Sequence, residues 1–128
     1  MADSLVEAAR QARERAYAPY SEYLVGAAVE TEDGAVYVGC NVENASYGLA
    51  MCAERVALGS AVAAGARGFR RVAVVSGSEP PASPCGACRQ VLAELAPDAT
   101  VIAVGPSSRQ EWRVGDLLPA AFGRHQLA

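Results

Sequence analysis

Leu5, Ala8, Ala9, Ala12 and Ala16 fall near one face of a 3.6-residue period, with Glu7, Arg10, Arg13 and Glu14 largely off it, so residues 4–16 predict an amphipathic helix. Asp3 or Ser4 is placed to cap it. Tyr17-Ala18-Pro19 ends it, because the residue before a proline is pushed out of the helical region. Residues 23–31 and 35–39 are rich in valine and alanine and flank Glu32-Asp33-Gly34, where Asp-Gly is a strong turn signal, so they predict a β-hairpin. Residues 41–48 carry neither period and predict a polar loop, the kind of segment in which binding groups sit on a rigid scaffold. The apolar stretch opening at Leu49 predicts a helix to about Ala64, closed by Gly65. A buried strand over 71–76, a proline-bearing loop over 78–84, a helix over 86–95 and a strand over 100–104 follow. Residues 112–114 predict a short edge strand, and 114–122 a short helix and turn around Pro119.

Hairpin first, then strands separated by helices, implies both antiparallel and parallel neighbours. The expected fold is therefore α/β, a three-layer α/β/α arrangement with a mixed, mostly five-stranded sheet. Nothing marks a boundary or a repeat, so residues 1–128 are expected to form a single domain.

Composition narrows the function classes. The net charge is −3, and all eleven basic residues are arginine with no cluster longer than Arg70-Arg71, which offers no field to gather nucleic acid. The N-terminal stretch is acidic and lacks the basic start and apolar run of a signal peptide, and no apolar run approaches the roughly 20 residues of a membrane span. A cytoplasmic location is expected, with no membrane partner. In that compartment four cysteines point to metal or catalysis rather than to disulfides.

Cys85 and Cys88 stand three apart at a predicted helix start, with both sulfurs on one face of the first turn. Alone, Cys-x-x-Cys is equally a redox motif. Cys52, at a second helix start and followed by Glu54, offers a third thiolate and shifts the balance to metal. Three cysteines can hold zinc and leave a fourth position open, and a carboxylate beside that position lets water be activated at neutral pH. Zn²⁺ with three thiolates carries a net charge of −1, so a guanidinium donating to the sulfurs would withdraw charge from the metal. Arg55 is the first candidate for that role and Arg89 the second. Cys40 reads as a buried structural thiol and His125, the sole histidine, as a surface residue near the end of the chain.

Cys52-Ala53-Glu54-Arg55 followed by Pro84-Cys85-Gly86-Ala87-Cys88-Arg89-Gln90 resembles the small, free-nucleoside cytidine deaminases with three cysteine ligands. The similarity extends to Tyr20-Ser21, Val25-Gly26-Ala27-Ala28, Gly39-Cys40-Asn41-Val42-Glu43-Asn44-Ala45, Tyr47 and the segment 117–123. It implies one zinc ion per subunit on Cys52, Cys85 and Cys88, with Glu54 as the proton shuttle. Asn41 and Glu43 would hold the ribose hydroxyls. Ala45 and Tyr47 would approach the sugar from a neighbouring subunit, and Phe122 would stack on the base. Tyr23, where the family usually has phenylalanine, would pack on the pyrimidine. Leu24 and Gly48 also depart from the family, which usually has proline at both positions; Gly48 loosens its loop.

The activity so implied is hydrolytic deamination of cytidine and 2′-deoxycytidine to the uridines and ammonia, in pyrimidine salvage, by a homotetramer with shared active sites. Deaminases of antibiotic nucleosides of the blasticidin S type share the cysteines and glutamate, and Asn41-Val42-Glu43-Asn44-Ala45 favours the ordinary nucleoside over them. A zinc-stabilised binding module without catalysis is the alternative from another class.

Overall fold

Along strand β3 (Phe69–Val75), Val72 and Val74 enter one apolar cluster and Ala73 and Val75 another, and all four are buried. A strand buried on both faces needs cover on both sides of its sheet, and the rest of the chain supplies it. The computed structural model describes residues 3–127. The helix α1 (Ser4–Arg13) lies on one face, packing Leu5, Val6 and Ala9 against Ala28, Ala73, Val75 and Ile102. On the other face α2 (Ala53–Ala63) and α3 (Gly86–Leu95) pack Ala57, Leu58, Ala61 and Leu92 against Ala27, Val29, Val72, Val74 and Val101.

The five strands run in the order β2 (Val36–Cys40), β1 (Gly26–Thr31), β3, β4 (Thr100–Val104), β5 (Arg109–Arg113). β3 and β4, joined through α3, are parallel, and every other neighbouring pair is antiparallel. The sheet is mixed and five-stranded, as the pattern predicts. A short α4 (Val114–Leu117) follows β5.

Several element ends differ from expectation, each because tertiary hydrogen bonds claim the backbone. α1 stops at Arg13 rather than residue 16, since Tyr17 is drawn into a bridge with Val42: its N–H donates to the Asn41 carbonyl at 2.9 Å and its carbonyl accepts from Glu43 N–H at 2.8 Å. β1 begins at Gly26 rather than residue 23, because the Asn41 side chain takes the place of a ladder, accepting from Val25 N–H at 2.9 Å and donating to the Tyr23 carbonyl at 2.8 Å. The helix expected from Leu49 begins at Ala53. Met51 and Val42 exchange both backbone hydrogen bonds at 2.9 Å, which holds the chain extended up to Cys52. β3 opens two residues before the expected 71, and β5 covers Arg109–Arg113 rather than 112–114. Cys40, expected to be buried, is half-buried at the end of β2.

α2 can sit unusually close to the hairpin. A Cβ at Gly39 would fall on the α2 backbone at Ala57 N and the Ala53 carbonyl, and the face α2 presents there is Ala53, Ala57 and Ala61, all buried. Only glycine on the strand and alanine on the helix allow that approach. It brings the N-terminus of α2 level with the loop of residues 41–51.

Candidate active site

Two helix N-termini converge on three sulfurs. Cys52 is the N-cap residue of α2 and Cys85 that of α3, and neither side chain caps its own helix. Cys88 follows in the first turn of α3, fully buried. The Cys52 and Cys85 sulfurs lie 3.8 Å apart, and all three sulfurs lie within 4.8 Å of one another.

That spacing tests the fit of a metal. Zn–S bonds of about 2.3 Å at tetrahedral angles put sulfurs about 3.8 Å apart, whereas a disulfide brings them to about 2.05 Å. The Cys52–Cys85 separation has the metal-ligand value. Electrostatics agree: hydrogen bonding to Cys88, with Arg55 and Cys85 adding, pulls the Cys52 thiol down to about 5. The same bond to Cys52, and burial, push Cys88 up. A dication bound there would draw the protons off the thiols.

Arg55, one helical turn from the metal set, donates from Nη2 to Cys52 Sγ at 3.5 Å. That contact sets its guanidinium, the first candidate for the charge-withdrawing role, against one of the three sulfurs. Arg89 does not share that role. Its guanidinium donates to the Pro84 carbonyl at 2.7 Å, the Leu117 carbonyl at 3.1 Å and Ser83 Oγ at 3.2 Å, so it ties the loop before Cys85 to the C-terminal segment. A planar fork with many donors suits that bracing task.

Glu54 sits in the first turn of α2 and is only 5% exposed. Burial raises its pKa above the usual carboxylate value, and the neighbouring Cys52 charge raises it further. Glu54, Cys52 and Cys85 line a cavity of about 270 Å³ together with Tyr23, Asn41 and Glu43. Residues separated by sixty positions thus share one small space.

Asn41 is held at both ends of its amide, as above. Glu43 accepts from Tyr20 N–H at 3.1 Å, Ser21 N–H at 3.2 Å and the Ser21 hydroxyl. These bonds, the Ser21 hydroxyl foremost, hold its carboxyl below the usual range. Ser21 was visible only as part of the motif, and its service to Glu43 emerges from the fold. Ala45, Tyr47 and Phe122 do not line this cavity; all are exposed, Tyr47 at 80% and Phe122 at 58%. The Phe122 carbonyl accepts from Gln90 Nε2 at 2.9 Å, which brings the C-terminal segment against α3. His125 lies on the surface.

A three-thiol metal set, a buried carboxylate at its edge and a cavity lined by polar loop groups define a metal-dependent hydrolase on a mixed α/β/α scaffold. A family model described as the cytidine and deoxycytidylate deaminase zinc-binding region matches residues 1–104. The chain belongs to that family of zinc-dependent deaminases. It is 52% identical over 120 residues to a cytidine deaminase of Halalkalibacterium halodurans, covering 92% of this chain and 91% of that protein. It is 44% identical over 128 residues to a cytidine deaminase of Sporosarcina psychrophila, covering 98% and 94%. The crystal structure of cytidine deaminase from Burkholderia pseudomallei superposes with a TM-score of 0.91 at 54% identity, over 95% of this chain and all of that one. Among the described residues no helix is long and apolar enough to cross a membrane.

Proposed function

We propose that this chain deaminates cytidine and 2′-deoxycytidine hydrolytically, with Cys52, Cys85 and Cys88 holding one zinc ion per subunit. The observation that carries the reading is that buried Glu54 lines one cavity together with Cys52 and Cys85 of the sulfur cluster and with Asn41 and Glu43. Bound zinc supplies a Lewis acid that makes a water more acidic at neutral pH. Glu54 takes a proton from the attacking water and passes it to ring N3 while the water oxygen bonds to C4. Glu54 then takes the proton of the new C4 hydroxyl and delivers it to the amine as the C4–N4 bond breaks and the C4 carbonyl forms, so water enters and ammonia departs. A carboxyl whose pKa burial has raised is suited to both halves of that cycle, since it gives up and regains its proton nearer to neutrality.

Asn41 and Glu43, pinned from behind by their own backbone and serine partners, would receive the sugar hydroxyls. Glu43 is held ionised, and residues 41–48 contain no basic side chain. A phosphate there would meet a carboxylate with nothing to offset it. Cytidine is therefore expected to be turned over far faster than its 5′-monophosphate or a short single-stranded oligocytidylate, in an assay of ammonia release. Comparable rates for the nucleoside and the nucleotide would overturn this reading of the sugar loop, and turnover of blasticidin S in preference to cytidine would reassign the enzyme.

The finer picture is a cytoplasmic homotetramer in pyrimidine salvage whose sites are built from more than one chain. The shared-site assembly is supported by the exposure of Tyr47, Leu49 and Phe122, large side chains that a free monomer would leave in water. Phe122→Ala subunits co-expressed with Glu54→Gln subunits should regain part of the activity each lacks alone, because some sites then combine an intact Glu54 with an intact Phe122. Full activity from a species that light scattering shows to be a monomer would rule the composite site out.

A further inference from the structure

Two stretches far apart in sequence line the same cavity: Tyr23, from the segment before β1, and Ala82, Ser83 and Cys85, from the segment between β3 and α3. The phenol hydroxyl of Tyr23 is hydrogen-bonded to the hydroxyl of Ser78, across 55 positions of sequence. We infer that Ser78 is a positioning residue, whose hydroxyl locks the Tyr23 ring as a wall of the nucleoside cavity and thereby sets substrate affinity.

The backbone on both sides of the bond is already anchored. The Tyr23 carbonyl accepts from Asn41 Nδ2 at 2.8 Å and its N–H donates to Ser21 Oγ at 3.0 Å. On the other side Ser78 N–H donates to Ser76 Oγ at 3.3 Å, and Glu79 accepts from the hydroxyls of Ser107 at 2.6 Å and Ser108 at 3.0 Å. The freedom left to Tyr23 is rotation of its own side chain, and at 40% exposure packing alone does not arrest it. A hydrogen bond at the far end of the ring does, since it joins the one polar tip of the side chain to an anchored loop. A ring fixed before substrate arrives need not be ordered on binding, so the benefit falls on affinity rather than on the chemical step.

This inference rests on the reading of the cavity as the nucleoside site, and its test separates the two. Tyr23→Phe, Ser78→Ala and the double variant reach the same bond from either end and from both. Each is expected to raise KM for cytidine about 3- to 10-fold, the range of one net hydrogen bond, with the double variant no worse than either single one. The effect should reside in KM, with kcat of Ser78→Ala within about twofold of the parent, and Ser78→Thr, which keeps the hydroxyl, should restore KM. Additive effects in the double variant, an unchanged KM for Ser78→Ala, or a loss confined to kcat would each overturn the assignment. Loss of zinc from Ser78→Ala, read by metal analysis, would do so too, by making the bond a support of the metal loop. Should either single variant fail to fold, the other still decides. A parent protein that turns over no cytidine at all would overturn the reading of the site itself, and the inference with it.

Discussion

Glu54→Gln is expected to keep its zinc and lose turnover by about 10²-fold to 10⁴-fold, the usual contribution of a general acid and base. The amide preserves the shape of a side chain that is only 5% exposed, so the first turn of α2 and the Cys52 position are not disturbed. What it cannot do is accept a proton from water or return one to the leaving amine. Glu54 is the only carboxylate among the cavity-lining residues beside the sulfurs, and Glu43, the other acid of the cavity, is already occupied by Ser21 and Tyr20. No neighbour is free to take over. Zinc content by metal analysis alongside cytidine turnover checks the claim, and near-parental turnover with zinc bound would sink the mechanism.

Removing the metal should cost both activity and stability. Three sulfurs from the starts of two separate helices would make the bound ion a cross-link between α2 and α3, which otherwise share only the apolar core to which both contribute. Anything that binds only the folded chain stabilises it by mass action, about 2.7 kcal/mol at a hundredfold excess over the dissociation constant. For a chain of this length that corresponds to a fall in Tm on the order of 10 °C after stripping with a chelator. Cys88→Ser should show both losses without a chelator, because Cys88 is fully buried and its hydroxyl replacement is a poor zinc ligand. Re-addition of zinc should restore the stripped parent and not the variant. A stripped protein with unchanged Tm and unchanged turnover would remove zinc from both roles.

Much of the scaffold was legible because it is written in local periodicity. The α3 and β4 ranges coincide with expectation, and the Asp-Gly hairpin forms where expected although its strands are shifted at their ends, since each element is bounded by strong turn or breaker residues. The three cysteines and Glu54 stand out in the sequence for a different reason: thiols three apart at a helix start have a metal-ligand spacing, and a third with a nearby acid narrows the choice further. The motifs named the metal group, but nothing in their spacing shows that Cys52 and Cys85, thirty-three positions apart, end up 3.8 Å from each other.

What the chain by itself determined is therefore the set of elements and the chemical inventory of the site: a helix, a hairpin, alternating helices and strands, three thiols and a carboxylate. What only the tertiary structure decided is where elements stop and which side chains serve one another. α1 ends early because Tyr17 pairs with Asn41 and Glu43; α2 begins late because Met51 pairs with Val42; and Arg89 braces backbone carbonyls while Arg55 faces the sulfurs. The physical reason is the same in each case. Local propensity is a preference of a few tenths of a kcal/mol per residue, and a backbone N–H or carbonyl near a packed interior must find a partner at a cost of about 1–3 kcal/mol if it does not. Wherever a distant strand or side chain offers that partner, the long-range bond overrules the local pattern.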